Sequence, residues 1–108
     1  MDGLSPCRAV GCRSYNEMEF TWDDVKRRAN LSKHGLDFAD AEIVFRVYTI
    51  SAEDAREAYG EQRLQTLGLL RETMVMVTHT ERRGSIRIIS LRKATQHETE
   101  NFFESLAN

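Results

Sequence analysis

The first half of the chain has apolar residues at helical spacing. Thr21, followed three residues later by Asp24, has the form of a helix N-terminal capping box, and Gly35 is typical of a helix C-cap. We therefore predict an amphipathic helix over residues 22–34, after a short strand at residues 18–20. The apolar stripe of this helix consists of Trp22, Val25 and Ala29.

Two further segments repeat the helical spacing. A second helix is predicted to begin at Asp37, whose side chain can cap it. Its apolar positions are Phe38, Ala41, Val44 and Phe45. Near the end of the chain, Thr95 and Glu98 form another capping-box pattern, which predicts a helix over residues 96–106. The residues expected to be buried by this last helix are Phe102, Phe103 and Leu106.

The remaining segments have strand patterns. Residues 47–50 are β-branched or aromatic, and further strands are predicted at residues 62–67, 73–81 and 85–94. The strand at 73–81 has apolar side chains at consecutive positions, which is typical of a central strand covered on both faces. Residues 82–84 separate the last two strands and predict a hairpin with a three-residue loop.

The predicted elements follow the order βααββββα, which indicates an α+β domain built on a largely antiparallel sheet. A chain of 108 residues is long enough for one such domain, assigned to residues 18–108. Residues 1–17 lack periodicity and are predicted to be an unstructured leader. No apolar run approaches the roughly 20 residues of a membrane helix or forms a secretory signal, so a cytoplasmic location is expected.

The distribution of charge is more informative than its sum. The net charge of -2 argues against a protein that binds nucleic acid through overall charge. The segment from residue 82 to residue 93, however, contains five basic residues and no acidic one: Arg82, Arg83, Arg87, Arg92 and Lys93. Cys7 and Cys12 have no second cysteine pair or nearby histidine to complete a zinc site, so no metal or cofactor is predicted.

The loop length of the hairpin fixes which side chains share a face. With a three-residue loop, Glu81 pairs with Ser85, and His79 lies opposite Arg87. This register places an imidazole beside a guanidinium. A loop shorter or longer by one residue would move every side chain to the other face.

Four short motifs occur in a characteristic order. They are FTWD at residues 20–23, NLSKHG at 30–35, YGEQRL at 59–64 and HTERRGSIRIISLRKAT at 79–95. Together they resemble the BrnT family of toxins. His79 departs from the tyrosine or phenylalanine that is frequent in the family, and Phe102 and Phe103 stand where tyrosine is frequent.

This resemblance implies a RelE-like ribonuclease fold, cleavage of RNA with arrest of translation, and neutralisation by a cognate antitoxin that carries a DNA-binding domain. Metal-free cleavage uses the 2′-hydroxyl of the substrate as nucleophile, so the protein supplies a base, an acid and a cation for the phosphate. Arg63 and Arg87 are the candidate cations. His79 is the candidate general acid or base, and Glu81 is the alternative base.

Three further cations are candidates for RNA binding: Lys33, Arg92 and Lys93. Lys33 ends the first predicted helix, where the helix dipole favours a cation whatever its function. Strand alternation puts Arg87 and Lys93 on one face and Arg92 on the other, so convergence of all three requires a bulge. Two alternatives to a ribonuclease stay open: a non-catalytic nucleic-acid-binding module, and a protein-interaction domain whose basic segment meets an acidic partner.

Overall fold

The computed structural model describes residues 5–6, 18–54 and 62–107. Its strands are β1 (Ser5–Pro6), β2 (Glu19–Trp22), β3 (Thr49–Asp54), β4 (Arg63–Leu70), β5 (Thr73–Arg82) and β6 (Ser85–Lys93). Its helices are α1 (Asp24–His34), a 3₁₀ turn (Phe38–Asp40), α2 (Ala41–Val44) and α3 (Gln96–Ala107). The predicted order of elements from residue 18 onward is therefore confirmed, with the second helix divided into two short pieces. None of the described helices is long and apolar enough to cross a membrane.

The strands form one sheet in the order β1-β3-β4-β5-β6-β2. The chain runs antiparallel through β3, β4, β5 and β6, but β2 lies parallel to β6. The prediction of an antiparallel sheet is therefore correct for the meander and wrong for this edge. No hairpin joins β2 to β6, so no turn fixes their relative direction, and the pairing is decided by packing.

Most of the predicted leader, residues 1–17, lies outside the described residues. Only its Ser5–Pro6 segment is described, and it pairs with the β3 edge. Cys7 and Cys12 are among the residues outside the description, so the structure does not test the prediction made for them.

The first helix begins later than its sequence pattern indicates. Asp23 is its N-cap, and the Asp23 carboxylate accepts hydrogen bonds from two backbone N–H groups of the first turn. Thr21 instead belongs to β2, so the predicted capping box is wrong. Gly35 ends the helix as predicted, with a φ of 72° and its N–H donating to the Leu31 carbonyl at 2.8 Å.

The apolar stripe predicted for α1 does not face the core. Val25 is 68% exposed, and Trp22 lies in β2. The buried residue of α1 is Asn30. Its side-chain amide donates to the Leu91 carbonyl at 2.8 Å and the Leu36 carbonyl at 3.1 Å, and its oxygen accepts from the Leu91 N–H at 3.2 Å. The helix is therefore fixed to β6 by a buried polar bridge.

One face of the sheet, called here the inner face, is covered by the two helical segments that follow β2. The side chains that α2 and its 3₁₀ turn bury there are those predicted: Phe38, Ala41, Val44 and Phe45. From the strands, the inner core receives Val75, Val77, Ile86, Ile88 and Leu91. Gly68 makes room for this packing, since a Cβ on it would lie 2.7 Å from a methyl carbon of Val44.

Among the described helices, α3 packs on the opposite or outer face and covers one end of it. Phe102 packs there with Ile50, Leu67 and Met76. Thr95 and Glu98 form the predicted capping box at the start of α3, with each side chain accepting from the backbone N–H of the other. Phe103 and Leu106, predicted to be buried, are 49% and 51% exposed. A helix that touches only one sheet face buries one narrow stripe, and Phe102 occupies it.

The β5–β6 hairpin has a shorter loop than predicted. Arg82 pairs directly with Ser85, so the loop consists of Arg83 and Gly84 alone. Gly84 adopts a φ of +70°, which favours glycine. A bulge lies farther along, because Thr78 pairs with Ser90 whereas His79 pairs with Ile88, which leaves Ile89 without a partner residue in β5.

Candidate functional site

A polar surface lies on the outer face beyond the end of α3. Here the register sets Thr80 of β5 opposite Arg87 of β6, and Arg87 beside Thr21 of β2. The β4–β5 pairing runs to Leu64 and His79, so the next position of β4, Arg63, lies alongside Thr80. We call the resulting line of four residues from four strands the arginine row: Arg63, Thr80, Arg87 and Thr21.

Successive residues alternate between the faces of a strand, so the members of the arginine row share the outer face. Adjacent strands are about 4.8 Å apart, which puts the backbones of Arg63 and Arg87 about 10 Å from each other. Arg63 is half-buried and Arg87 is exposed. Two arginines at this separation can both reach an anion held above Thr80.

A groove of about 310 Å³ opens on this surface. It is lined by Thr21, Thr80, Arg82, Ser85 and Arg87. Its walls thus provide two guanidinium groups and three hydroxyls. Glu19 of β2 pairs with Ser85, which brings one carboxylate to the same face of the sheet. Guanidinium groups bind phosphate through two parallel hydrogen bonds, and hydroxyls supply further donors. The groove therefore has the chemistry of a phosphate-binding surface.

His79 lies on the other side of the sheet, in the inner core. Its side chain is fully buried, its Nε2 is 2.7 Å from the Thr66 hydroxyl, and its ring meets that of Phe45 edge-on at 5.0 Å. The predicted pairing of His79 with Arg87 is therefore wrong, because the two-residue loop shifts the register by one. Burial lowers the pKa of His79 to about 4, because desolvation disfavours the charged imidazolium.

Glu81 also faces inward, one position from the strand end. It pairs with Ile86 rather than with Ser85, and a carboxylate oxygen lies 3.8 Å from the Nδ1 of His79. The four residues predicted to be catalytic are thus divided. Arg63 and Arg87 lie together on the outer face, whereas His79 and Glu81 lie near each other on the inner face.

The three predicted RNA-binding cations do not converge. The bulge at Ile89 puts Arg92, and not Lys93, on the face of Arg87, so the simple alternation expected for β6 is wrong. Both terminal nitrogens of the Arg92 guanidinium donate to the carboxylate of Glu98, at 3.0 and 2.9 Å. Lys93 lies opposite Val75 and is exposed, and Lys33 is exposed at the end of α1.

A family model described as the ribonuclease toxin BrnT of a type II toxin–antitoxin system matches residues 22–98. The chain belongs to this family. The crystal structure of the Brucella abortus ribonuclease toxin BrnT is 30% identical in sequence and superposes with a TM-score of 0.55, covering 73% of this chain and 99% of that one. No curated protein matches the chain.

The family assignment confirms the resemblance drawn from the motifs. It makes the chain a ribonuclease toxin of a type II toxin–antitoxin system, with RNA as its substrate and a protein antitoxin as its partner. Among the residues that the structure describes, no group of three or more His, Cys, Asp or Glu side chains is arranged to hold a metal ion.

The sequence pattern does not identify several residues of this groove. Thr21, Thr80 and Ser85 carry no charge and lie in ordinary strand patterns, and the predicted three-residue loop includes Arg82. Gly84 is the sequence signal that could identify them, because glycine is typical of the second position of a two-residue hairpin loop. With such a loop, strand alternation places Thr80, Arg82, Ser85 and Arg87 on one face.

Proposed function

We propose that the toxin is a metal-independent endoribonuclease and that the arginine row binds the scissile phosphate. The observation that carries this proposal is the placement of Arg63 and Arg87 on either side of Thr80, on the part of the outer face that the described helices leave uncovered. Proteins that cleave RNA must hold the phosphodiester while charge develops on its oxygens. Two guanidinium groups can serve that purpose without a metal ion.

In the proposed reaction, the 2′-hydroxyl oxygen of the substrate attacks the adjacent phosphorus, and the bond from phosphorus to the 5′-oxygen of the next nucleotide breaks. Water accepts the proton of the 2′-hydroxyl and donates one to the departing 5′-oxygen, which leaves a 2′,3′-cyclic phosphate on one product and a 5′-hydroxyl on the other. Arg63 and Arg87 stabilise the negative charge of the pentacovalent phosphorus, and Arg82 holds a neighbouring phosphate. His79 and Glu81 lie on the inner face of the sheet, so we propose that they stabilise β5, the strand that carries Thr80, and do not contact RNA.

The cellular role follows from the family assignment. We propose that cleavage acts on RNA required for translation and arrests it in the cytoplasm, and that the antitoxin carries a DNA-binding domain. We also propose that the α+β fold is related to RelE-type ribonucleases. The resemblance of the four sequence motifs to the BrnT family supports this relation.

The test is incubation of the purified protein with single-stranded RNA in excess EDTA. The parent protein should cleave, and Arg87→Ala and Arg63→Ala should each cleave much more slowly. Arg28→Ala is the matched control, because Arg28 is an exposed arginine of α1, bridged to Asp24. Loss of cleavage in EDTA that a divalent cation restores would contradict metal independence. Parent-like rates in both row variants would contradict the assignment of the site.

A further inference from the structure

A second polar row lies on the outer face between the arginine row and α3. The register sets Gln65 of β4 opposite Thr78 of β5, and Thr78 opposite Ser90 of β6. We call these three residues the amide-hydroxyl row. The next row toward α3 is apolar, since Leu67 and Met76 pack under Phe102.

The bulge determines the composition of this row. With the register of the hairpin end continued unchanged, Ile89 would lie opposite Thr78. Instead the register shifts between Thr78 and His79, so that Ser90 takes this position. A hydroxyl therefore stands where regular pairing would put a butyl side chain. Bulges that redirect a side chain in this way are frequent next to functional sites.

The side chains of the amide-hydroxyl row are partly or fully buried, and yet they form no hydrogen bonds among the described residues. Thr78 is 8% exposed, and Gln65 and Ser90 are half-buried. In the part of the chain that the structure describes, none of the three makes a side-chain hydrogen bond, whereas Ser51 and Thr66 on the inner face bond each other at 2.7 Å. A polar group that is partly buried and makes no hydrogen bond is stabilised when a ligand forms a hydrogen bond with it.

The spacing relates this row to the bound phosphate. Two residues along a strand span about 7 Å, which is comparable to the distance between a nucleotide's phosphate and the edge of its base. A nucleotide whose phosphate sits between Arg63 and Arg87 can therefore lay its base over Gln65 and Thr78. Bases of single-stranded RNA expose their hydrogen-bonding edges for such contacts.

We propose that the amide-hydroxyl row reads the base next to the scissile phosphate and favours adenine. This inference rests on the proposed function of the arginine row. The Gln65 amide presents one donor and one acceptor side by side, which matches the N7 acceptor and N6 donor of adenine. Thr78 and Ser90 add hydroxyls that can donate or accept. On the side toward α3, the amide-hydroxyl row is bordered by the apolar side chains of Leu67 and Met76.

The test uses sixteen synthetic single-stranded RNAs that differ only in the dinucleotide at their centre. The parent should cleave most rapidly where an adenine adjoins the cut. Gln65→Ala should lower the ratio of adenine to other contexts by about 10-fold or more, while rates in the other contexts change little. Gln65→Glu should shift the preference toward cytosine, whose amino group a carboxylate accepts. Gln62→Ala, an exposed glutamine just before β4, should leave the ratios unchanged.

Thr78→Val, which keeps the shape of the side chain and removes its hydroxyl, provides a second test if Gln65→Ala fails to fold. The inference is overturned if the parent has no base preference, or if the row variants keep the parent's ratios or slow all sixteen RNAs equally. A parent that cleaves none of them would refute the proposed ribonuclease site itself, and this outcome is distinct from cleavage without base preference.

Discussion

Thr80 lies directly opposite Arg87 across β5 and β6, and both side chains belong to the outer face of the sheet. This pair is the centre of the arginine row, since Arg63 adjoins Thr80 on the other side. The residue before Thr80, His79, consequently faces the inner core. Consecutive residues of one strand thus serve two different purposes, with Thr80 on the groove and His79 in the packing beneath it.

Arg87→Ala should impair cleavage far more than folding. A charge-assisted contact to the phosphate in the transition state contributes roughly 2 to 4 kcal/mol, so the rate should fall about 30-fold to 1000-fold. Arg87 is exposed, so the free energy of unfolding should change by less than about 1 kcal/mol. Single-turnover cleavage and urea denaturation measure the two quantities. A parent-like rate would remove Arg87 from the site, and a variant that fails to fold would give it a structural role.

The stability of the protein should fall as the pH drops from about 6.5 to about 4. Burial lowers the pKa of His79 to about 4, so in this range the unfolded chain binds a proton that the folded chain excludes. The loss should reach about 3 kcal/mol at the lower limit. Asp37 and Glu98 also have lowered pKa values, but their ordinary values of 3.8 and 4.5 place most of their contribution below about pH 4.5.

His79→Gln should flatten this pH dependence above about pH 4.5, because glutamine does not titrate and can still bond the Thr66 hydroxyl. Urea denaturation at a series of pH values provides the measurement. His97→Gln, a change at an exposed histidine of α3, serves as the control and should keep the parent's slope. Equal slopes in His79→Gln and the parent would show that the buried imidazole is not the source.

Arg92 should prove to be structural. Its bidentate bonds to Glu98 fix the start of α3, so Arg92→Ala and Glu98→Ala should each lower the free energy of unfolding by about 1 kcal/mol. The double variant should lose less than the sum of the two, because each single change already breaks the pair. Cleavage by Arg92→Ala should stay within a few-fold of the parent. A large loss of rate without a loss of stability would instead support the sequence-based prediction that Arg92 binds RNA.

Asn30→Ala should be among the more damaging changes on α1. It removes an amide that bridges to the N–H and carbonyl of Leu91 and leaves these backbone groups buried without that partner. The expected cost is roughly 2 to 3 kcal/mol of unfolding free energy. Ser32→Ala, at an exposed position of the same helix, should cost less than about 0.5 kcal/mol. Equal effects of the two changes would show that the bridge contributes little to stability.

The sequence by itself determined those features that depend on residues a few positions apart. Gly35 ends α1, Asp37 caps the following turn, and Thr95 with Glu98 begins α3. Each relies on a hydrogen bond or a backbone preference within one helical turn. The family motifs likewise identified a ribonuclease toxin, because they are contiguous runs of residues. The basic hairpin was also evident, though only as a charge pattern.

Only the tertiary structure decided how these pieces face one another. Burial of Ile86, Ile88 and Leu91 in one core cannot be met by strict alternation, since Leu91 is three residues from Ile88. The bulge at Ile89 resolves this conflict, and it thereby turns Ser90 and Arg92 to the outer face. The strand register, the bulge and the parallel pairing of β2 all depend on the free energy gained when segments far apart in the chain bury apolar area against each other. A pattern of neighbouring residues does not predict which distant segments meet, so it could not predict these three features.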